Sequence, residues 1–228
     1  MGTRIRAAVL DLDGTLVDTP NAIATITARI LDEMGRPATE AEIRGLVGKP
    51  LDRNFAQLLR VPPEHEDVAH AIGRYRELFG KHVRQQGRAL LYPGVAEGLA
   101  RLRERGLLLA IATSKVYEAA VKTVAATGIA ELFDVIAGHD SVTRGKPEPD
   151  MAVYAAGKLG VPVAECVGVG DGVGDMEMGR AAGMVNIGVT YGVATEAELR
   201  AAGANVIAHS FTEVVELLPA GIAVEEKA

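Results

Sequence analysis

Residues 5–16 read IRAAVLDLDGTL, and this stretch decides the fold. The apolar run from Ile5 to Leu10 predicts a strand buried on both faces, as in a parallel sheet covered by helices. The run ends at Asp11 and Asp13, one residue apart, followed at once by Gly14 and Thr15. Parallel α/β sheets bind ligands in the crevice beyond the carboxyl ends of their strands. Two carboxylates this close repel, and they need a cation, a proton or an electropositive substrate between them. Such a pair at such a place points to chemistry rather than stability.

Downstream of this stretch the pattern changes twice. Thr19 and Pro20 are placed to cap and start a helix through about Met34, with Ile23, Ile26, Ile30 and Met34 as its apolar stripe and Gly35 as its stop. Thr39 with Glu42 forms a capping-box pattern for a short helix to about Leu46. A helix carrying Leu51, Phe55, Leu58 and Leu59 follows Pro50, and a longer one covers Glu64 to about Val83. Residues 18–87 contain no strand signal, which predicts a small helical cap inserted after the first strand. From Leu91 onward helices and apolar runs alternate. Strands are expected at 107–112, 134–138, 165–169, 184–188 and 205–208. Helices are expected at 94–104, 116–127, 150–159, 175–182, 195–202 and 211–218. The expected fold is α/β: a three-layer, Rossmann-like core with a mainly parallel sheet, formed by residues 1–17 and 88–228, with the cap at 18–87. The tail GIAVEEKA, residues 221–228, is expected to fray.

Composition narrows the function. The 228 residues are 48% hydrophobic and carry a formal charge of −6 with no basic block, which argues against nucleic acid as a partner. No run approaches the roughly 18 apolar residues of a membrane span, and no secretory signal is evident, so a cytoplasmic protein is expected. The single cysteine, Cys166, excludes an internal disulfide and reads as a buried core thiol.

Three further strand ends carry polar groups. Thr113, Ser114 and Lys115 follow LLLAIA, where a hydroxyl and backbone N–H groups suit an anion, although Thr113 or Ser114 could simply cap a helix. Lys146 stands in RGKPEPD, a proline-rich turn in which a lysine ordinarily faces solvent. Asp171 and Asp175 follow CVGVG. Asp175 could merely favour a helix amino terminus, whereas Asp171, directly on a strand end beside glycine, is harder to explain structurally. Carboxylates from separate strands suit Mg²⁺, a lysine and backbone donors suit phosphate, and one aspartate can attack phosphorus. Together they describe phosphoryl-transfer chemistry. The glycines at 168–174 lack both the dinucleotide and the P-loop pattern.

These motifs resemble those of the haloacid dehalogenase-like hydrolases, in particular their magnesium-dependent phosphatase branch with a helical cap. DLDGTLVDT at 11–19, Thr113 in IATSK, Lys146 in GKPEPD and GDGVGD at 170–175 occur in the family's order. The resemblance implies Asp11 as nucleophile, Asp13 as acid and then base, and Mg²⁺ held by Asp11, the Asp13 carbonyl and Asp171. It also implies a phosphate cradle of Leu12, Gly14, Thr113, Ser114 and Lys146, with Asp175 in support. Within the branch the likeness is nearest to phosphoglycolate phosphatase-like proteins, through DSVTRGKPEPD at 140–150 and VNIGVTYG at 185–192. The implied substrate is a small phosphorylated metabolite, phosphoglycolate first. Pyrophosphatase, sugar-phosphate phosphatase, phosphomutase or a non-catalytic phosphate-ester-binding protein are the alternatives, in a monomer or homodimer. Arg44, Lys49 and Arg53 are the cap cations that could meet a substrate's second charge, while Tyr75 and Phe79 read as cap-core aromatics.

Overall fold

The computed structural model describes residues 5–218. Six parallel strands form one sheet in the order β3-β2-β1-β4-β5-β6, with β1 at Ala7–Leu10, β2 at Leu108–Ala112, β3 at Val135–Ala137, β4 at Cys166–Gly170, β5 at Val185–Val189 and β6 at Val206–Ala208. Each strand lies within two residues of its expected place. β1 is shorter than the apolar run, because Ile5 is buried but lies outside the ladder.

The two faces of the sheet follow the period-2 pleat. On β1, Ala8 and Leu10 enter one apolar cluster, whereas Ala7 and Val9 enter another. β2 repeats the division, with Leu109 and Ile111 on the first face and Ala110 and Ala112 on the second. The small residues on the second face let α7 (Asp150–Leu159) pack closely through Met151, Ala152, Ala155 and Ala156. Cys166 lies wholly buried in this layer, and burial pushes its thiol up to about 11, as expected for a core residue.

Four helices form the segment inserted after β1, α1 (Pro20–Glu33), α2 (Glu40–Arg44), α3 (Leu51–Leu59) and α4 (Glu66–Gln86), and α5 (Val95–Glu104) then leads into β2. The expected capping box of α2 forms, with Thr39 accepting from the Glu42 N–H and the Glu42 carboxylate accepting from the Thr39 N–H at 2.8 Å. α4 runs three residues beyond the expected Val83. It packs on α1 and α3, with Phe55 edge-on to Tyr75 at 6.2 Å and Tyr75 stacked on Phe79 at 5.3 Å. No helix among the described residues is long and apolar enough to cross a membrane. The tail at 221–228 lies outside the described residues.

This topology fixes where a site can form. From β1 the chain builds outward to β2 and β3 on one side and to β4, β5 and β6 on the other. The crevice therefore opens beyond the carboxyl ends of β1 and β4.

Candidate active site

Asp11 leaves β1 with its N–H donated to the Val169 carbonyl of β4 at 2.9 Å, so the sheet ladder itself fixes its backbone. Directly after it the chain doubles back. Leu16 and Val17 both donate to the Leu12 carbonyl, and Gly14 donates to the Val17 carbonyl at 2.8 Å. Gly14 sits at φ +84°, and a Cβ there would stand 2.1 Å from an Asp171 carboxylate oxygen. Glycine is thus required twice over, for the backbone conformation and for the approach.

Asp171 directly follows β4 and faces this turn. Its carboxylate accepts from the Thr15 hydroxyl at 2.8 Å and from the Val193 N–H at 2.9 Å. Gly192 closes on it from the loop after β5, where a Cβ would lie 2.2 Å from the same carboxylate. Asp175 stands in the first turn of α8 (Val173–Ala182) and accepts from the Gly172 N–H at 2.9 Å, so it does favour its helix start. Its other oxygen binds the Lys146 ammonium, and Lys146 Nζ lies 2.7 Å from Asp11 Oδ1. The lysine side chain is only 6% exposed, against the expectation for a proline-rich turn, because two carboxylates, Asp11 after β1 and Asp175 in α8, hold it inward.

Asp11, Asp171 and Asp175 bring one carboxylate oxygen each within 4.8 Å of one another. Three carboxylates facing one ammonium leave two excess negative charges when all are ionised. Burial pushes Asp11 up to about 7, against the pull of Lys146, and Asp175 adds to the rise. Burial likewise raises Asp171, helped by Asp11 and Asp175. Burial opposes the Lys146 charge, but Asp11 and Asp175 outweigh it and hold the ammonium above its usual range. Such a site stores protons or a divalent cation, and its hard oxygen donors fit Mg²⁺.

Asp13 is engaged differently. Its carboxylate accepts from the Thr19 hydroxyl and lies 2.8 Å from Lys115 Nζ, outside the three-carboxylate group. Thr19 thus occupies the N-cap position of α1 without capping it by its side chain, and Pro20 alone supplies the start signal. Neither Thr113 nor Ser114 is a helix cap, because the N-cap of α6 (Tyr117–Thr127) is Val116. Thr113 is 1% exposed, with its hydroxyl accepting from the Lys115 N–H at 3.3 Å, and Ser114 is half-buried beside it.

None of the three cap cations pairs with a carboxylate of this group. Arg44 pairs with Glu40 at 2.7 Å and donates to Asn21 at 3.1 Å. It lines a cavity of about 180 Å³ with Asp18, Val47, Tyr92 and Tyr191. Lys49 and Arg53 are exposed. Tyr75 and Phe79 are buried as expected of cap-core residues, yet they also reach the site. Burial, with Asp13 nearby, holds the Tyr75 phenol well above its usual range, and Phe79 lies under Lys115.

Thr15, Thr19 and Gly192 carry no site role in the sequence, and Lys115 enters it only as the third polar residue of a strand end, without a role of its own. Thr15 and Lys115 had a visible signal, since each directly adjoins a motif residue. Thr19 reads as a cap, and Gly192 meets Asp171 only through folding.

Comparison with known proteins agrees with this geometry. A family model described as haloacid dehalogenase-like hydrolase matches residues 8–189. The chain is 41% identical over 208 residues to "Probable phosphatase IndB" of Dickeya dadantii, covering 91% of this chain and 90% of that protein. It is 34% identical over 224 residues to a plasmid-encoded phosphoglycolate phosphatase of Cupriavidus necator, covering 95% of each. Among solved structures, a hydrolase from Pseudomonas syringae superposes with a TM-score of 0.82 at 26% identity, covering 93% of this chain and 97% of that one. The matched segment runs from β1 to the end of β5, the same span that carries Asp11, Lys146, Asp171 and Asp175, and the chain belongs to the haloacid dehalogenase-like hydrolase family.

Proposed function

We propose that this protein is a Mg²⁺-dependent phosphatase that hydrolyses a small organic phosphomonoester through an aspartyl-phosphate, with phosphoglycolate as the first substrate to test. The observation that carries the reading is the buried group at the β1–β4 crevice, where Asp11 meets Lys146 at 2.7 Å beside Asp171 and Asp175. The relatives named phosphatase and phosphoglycolate phosphatase support the reaction class and the substrate.

Asp11 attacks phosphorus, forming the Oδ–P bond as the bond from phosphorus to the ester oxygen breaks. Asp13 gives its proton to the departing oxygen and then takes one from the water that hydrolyses the acyl phosphate, returning Asp11 as a carboxylate. Lys146 stays protonated beside Asp11 and offsets the charge gathering on the phosphoryl oxygens. The Thr113 hydroxyl and the N–H groups of Leu12 and Ser114 orient those oxygens, whereas the Gly14 N–H, expected in the same cradle, is committed to the Val17 carbonyl. Asp11, Asp171 and the Asp13 carbonyl would hold Mg²⁺, with Asp175 fixing Lys146 from the other side. When bound, the ion neutralises the excess negative charge and draws phosphate toward a nucleophile that would otherwise repel it.

Phosphate release from phosphoglycolate, pyrophosphate, sugar phosphates and nucleotides, measured with Mg²⁺ and with chelator, tests the reading. Mg²⁺-dependent turnover with the highest kcat/KM on phosphoglycolate is expected. Preference for pyrophosphate or a sugar phosphate would remove the substrate, and no turnover of any ester would remove the activity.

A further inference from the structure

One cation at the site has no part in the reaction just described. Lys115 follows Ser114 in the turn after β2, and its side chain is 12% exposed. Its ammonium lies 2.8 Å from Asp13 Oδ2 and 4.3 Å from the centroid of the Phe79 ring. Its backbone is held on both sides, with its N–H donated to Thr113 at 3.3 Å and its carbonyl accepting from the His139 N–H at 2.7 Å. Asp13 belongs to the turn after β1, and Phe79 belongs to α4. Lys115 therefore stands at the seam between the sheet and the inserted helices, next to the proposed acid.

We propose that Lys115 reads the leaving group: it binds an anionic substituent close to the ester oxygen and so selects phosphomonoesters of small hydroxy acids over those of neutral alcohols. The inference rests on the phosphatase reading, with Asp13 as the acid. A proton donor must come within about 2.6–3.2 Å of the oxygen it protonates. Lys115 Nζ is already 2.8 Å from that same donor, so it neighbours the leaving group of any ester Asp13 can serve. In a glycolate leaving group the carboxylate is separated from the ester oxygen by a single methylene, a span that the flexible lysine stem covers. An ammonium has three N–H donors, and one bond to Asp13 leaves two for a substrate carboxylate. The Phe79 face and the low exposure keep water from competing, which strengthens an ion pair formed there.

The other cations are less well placed. Lys146 is committed to Asp11 and Asp175, Arg44 to Glu40 and Asn21, and Lys49 and Arg53 are exposed. The recognition of a second charge, expected on the cap from sequence, is thereby reassigned to a core residue roofed by a cap aromatic.

The test compares phosphoglycolate with 2-hydroxyethyl phosphate, an ester of the same chain length with a neutral end. Full-length wild-type protein, Lys115→Met and Lys115→Arg are assayed with Mg²⁺. Lys115→Met should lower kcat/KM for phosphoglycolate about ten- to hundredfold more than for 2-hydroxyethyl phosphate, chiefly through KM, as for a lost charged hydrogen bond. Lys115→Arg should recover part of the preference. Equal losses on both esters would overturn the inference and leave Lys115 as a residue that only positions Asp13 or supports α4. A wild type with no preference for phosphoglycolate over the neutral ester would also overturn it, while the phosphatase reading stands. Failure of the wild type to release phosphate from these esters and from p-nitrophenyl phosphate would overturn both. If Lys115→Met does not fold, Lys115→Gln makes the same comparison.

Discussion

Lys146 Nζ and Asp11 Oδ1 lie 2.7 Å apart across 135 residues of chain. Asp175 holds the same ammonium from the other side, so this lysine is the single positive charge among three clustered carboxylates. Lys146→Met should lower kcat about 10²–10³-fold, the usual cost of a lost charge-stabilising donor. It should also destabilise the metal-free protein by about 3–5 kcal/mol, because buried charges lose their partner. Phosphate-release kinetics and denaturant unfolding check the two effects separately, and added Mg²⁺ should restore part of the stability.

Asp11→Asn removes the proposed nucleophile with little change of shape. Turnover should fall by at least about 10⁴-fold. Near pH 8 the metal-free variant should nevertheless be more stable than wild type, by on the order of 1–3 kcal/mol, because burial disfavours the charge on Asp11. Paired activity assays and melts decide this. A variant that loses activity and is also less stable would show that Asp11 pairs too well with Lys146 for burial to dominate.

The pH dependence of stability has a definite sign. Asp11 is raised from the ordinary carboxylate value to about 7, so the folded state retains a proton that the unfolded chain has lost. Its contribution is most favourable below about pH 4 and is lost as pH rises through about 7. In chelator, the Tm difference between wild type and Asp11→Asn should therefore widen against wild type over this window. Mg²⁺, which binds the ionised form, should stabilise wild type more at pH 8 than at pH 5. A metal effect of equal size at both pH values would contradict the assignment of Asp11 as a ligand.

Two substitutions away from the nucleophile should weaken the metal site through Asp171. Thr15→Val deletes a 2.8 Å hydrogen bond to its carboxylate, and Gly192→Ala puts a methyl where that carboxylate now lies. Each should raise the Mg²⁺ concentration needed for half-maximal activity about 10–100-fold, the scale of a lost supporting contact. At saturating Mg²⁺, Thr15→Val should recover most of its kcat. Gly192→Ala should recover less, because Asp171 itself must move.

The sequence by itself determined the sheet and the order of its chemistry. Apolar runs of strand length, alternating with helical patterns and ending in Asp11, Thr113 and Asp171, place all six strands to within two residues, because burial on both faces leaves a continuous apolar signal. The motif residues were equally legible, since each directly follows a strand or opens a turn. Tertiary structure decided which of them meet and what else meets them. Lys146 reads as an exposed turn lysine until the sheet brings it between Asp11 and Asp175. Thr19 reads as a helix cap, yet its hydroxyl goes to Asp13. Lys115 reads only as one polar residue of a strand end until the fold sets its ammonium beside Asp13 and over the Phe79 ring of α4. Periodicity along a chain reports which face is buried. Pair electrostatics depend on distances of a few ångströms between segments far apart in sequence, and those exist only once β1, β4 and the inserted helices are packed together.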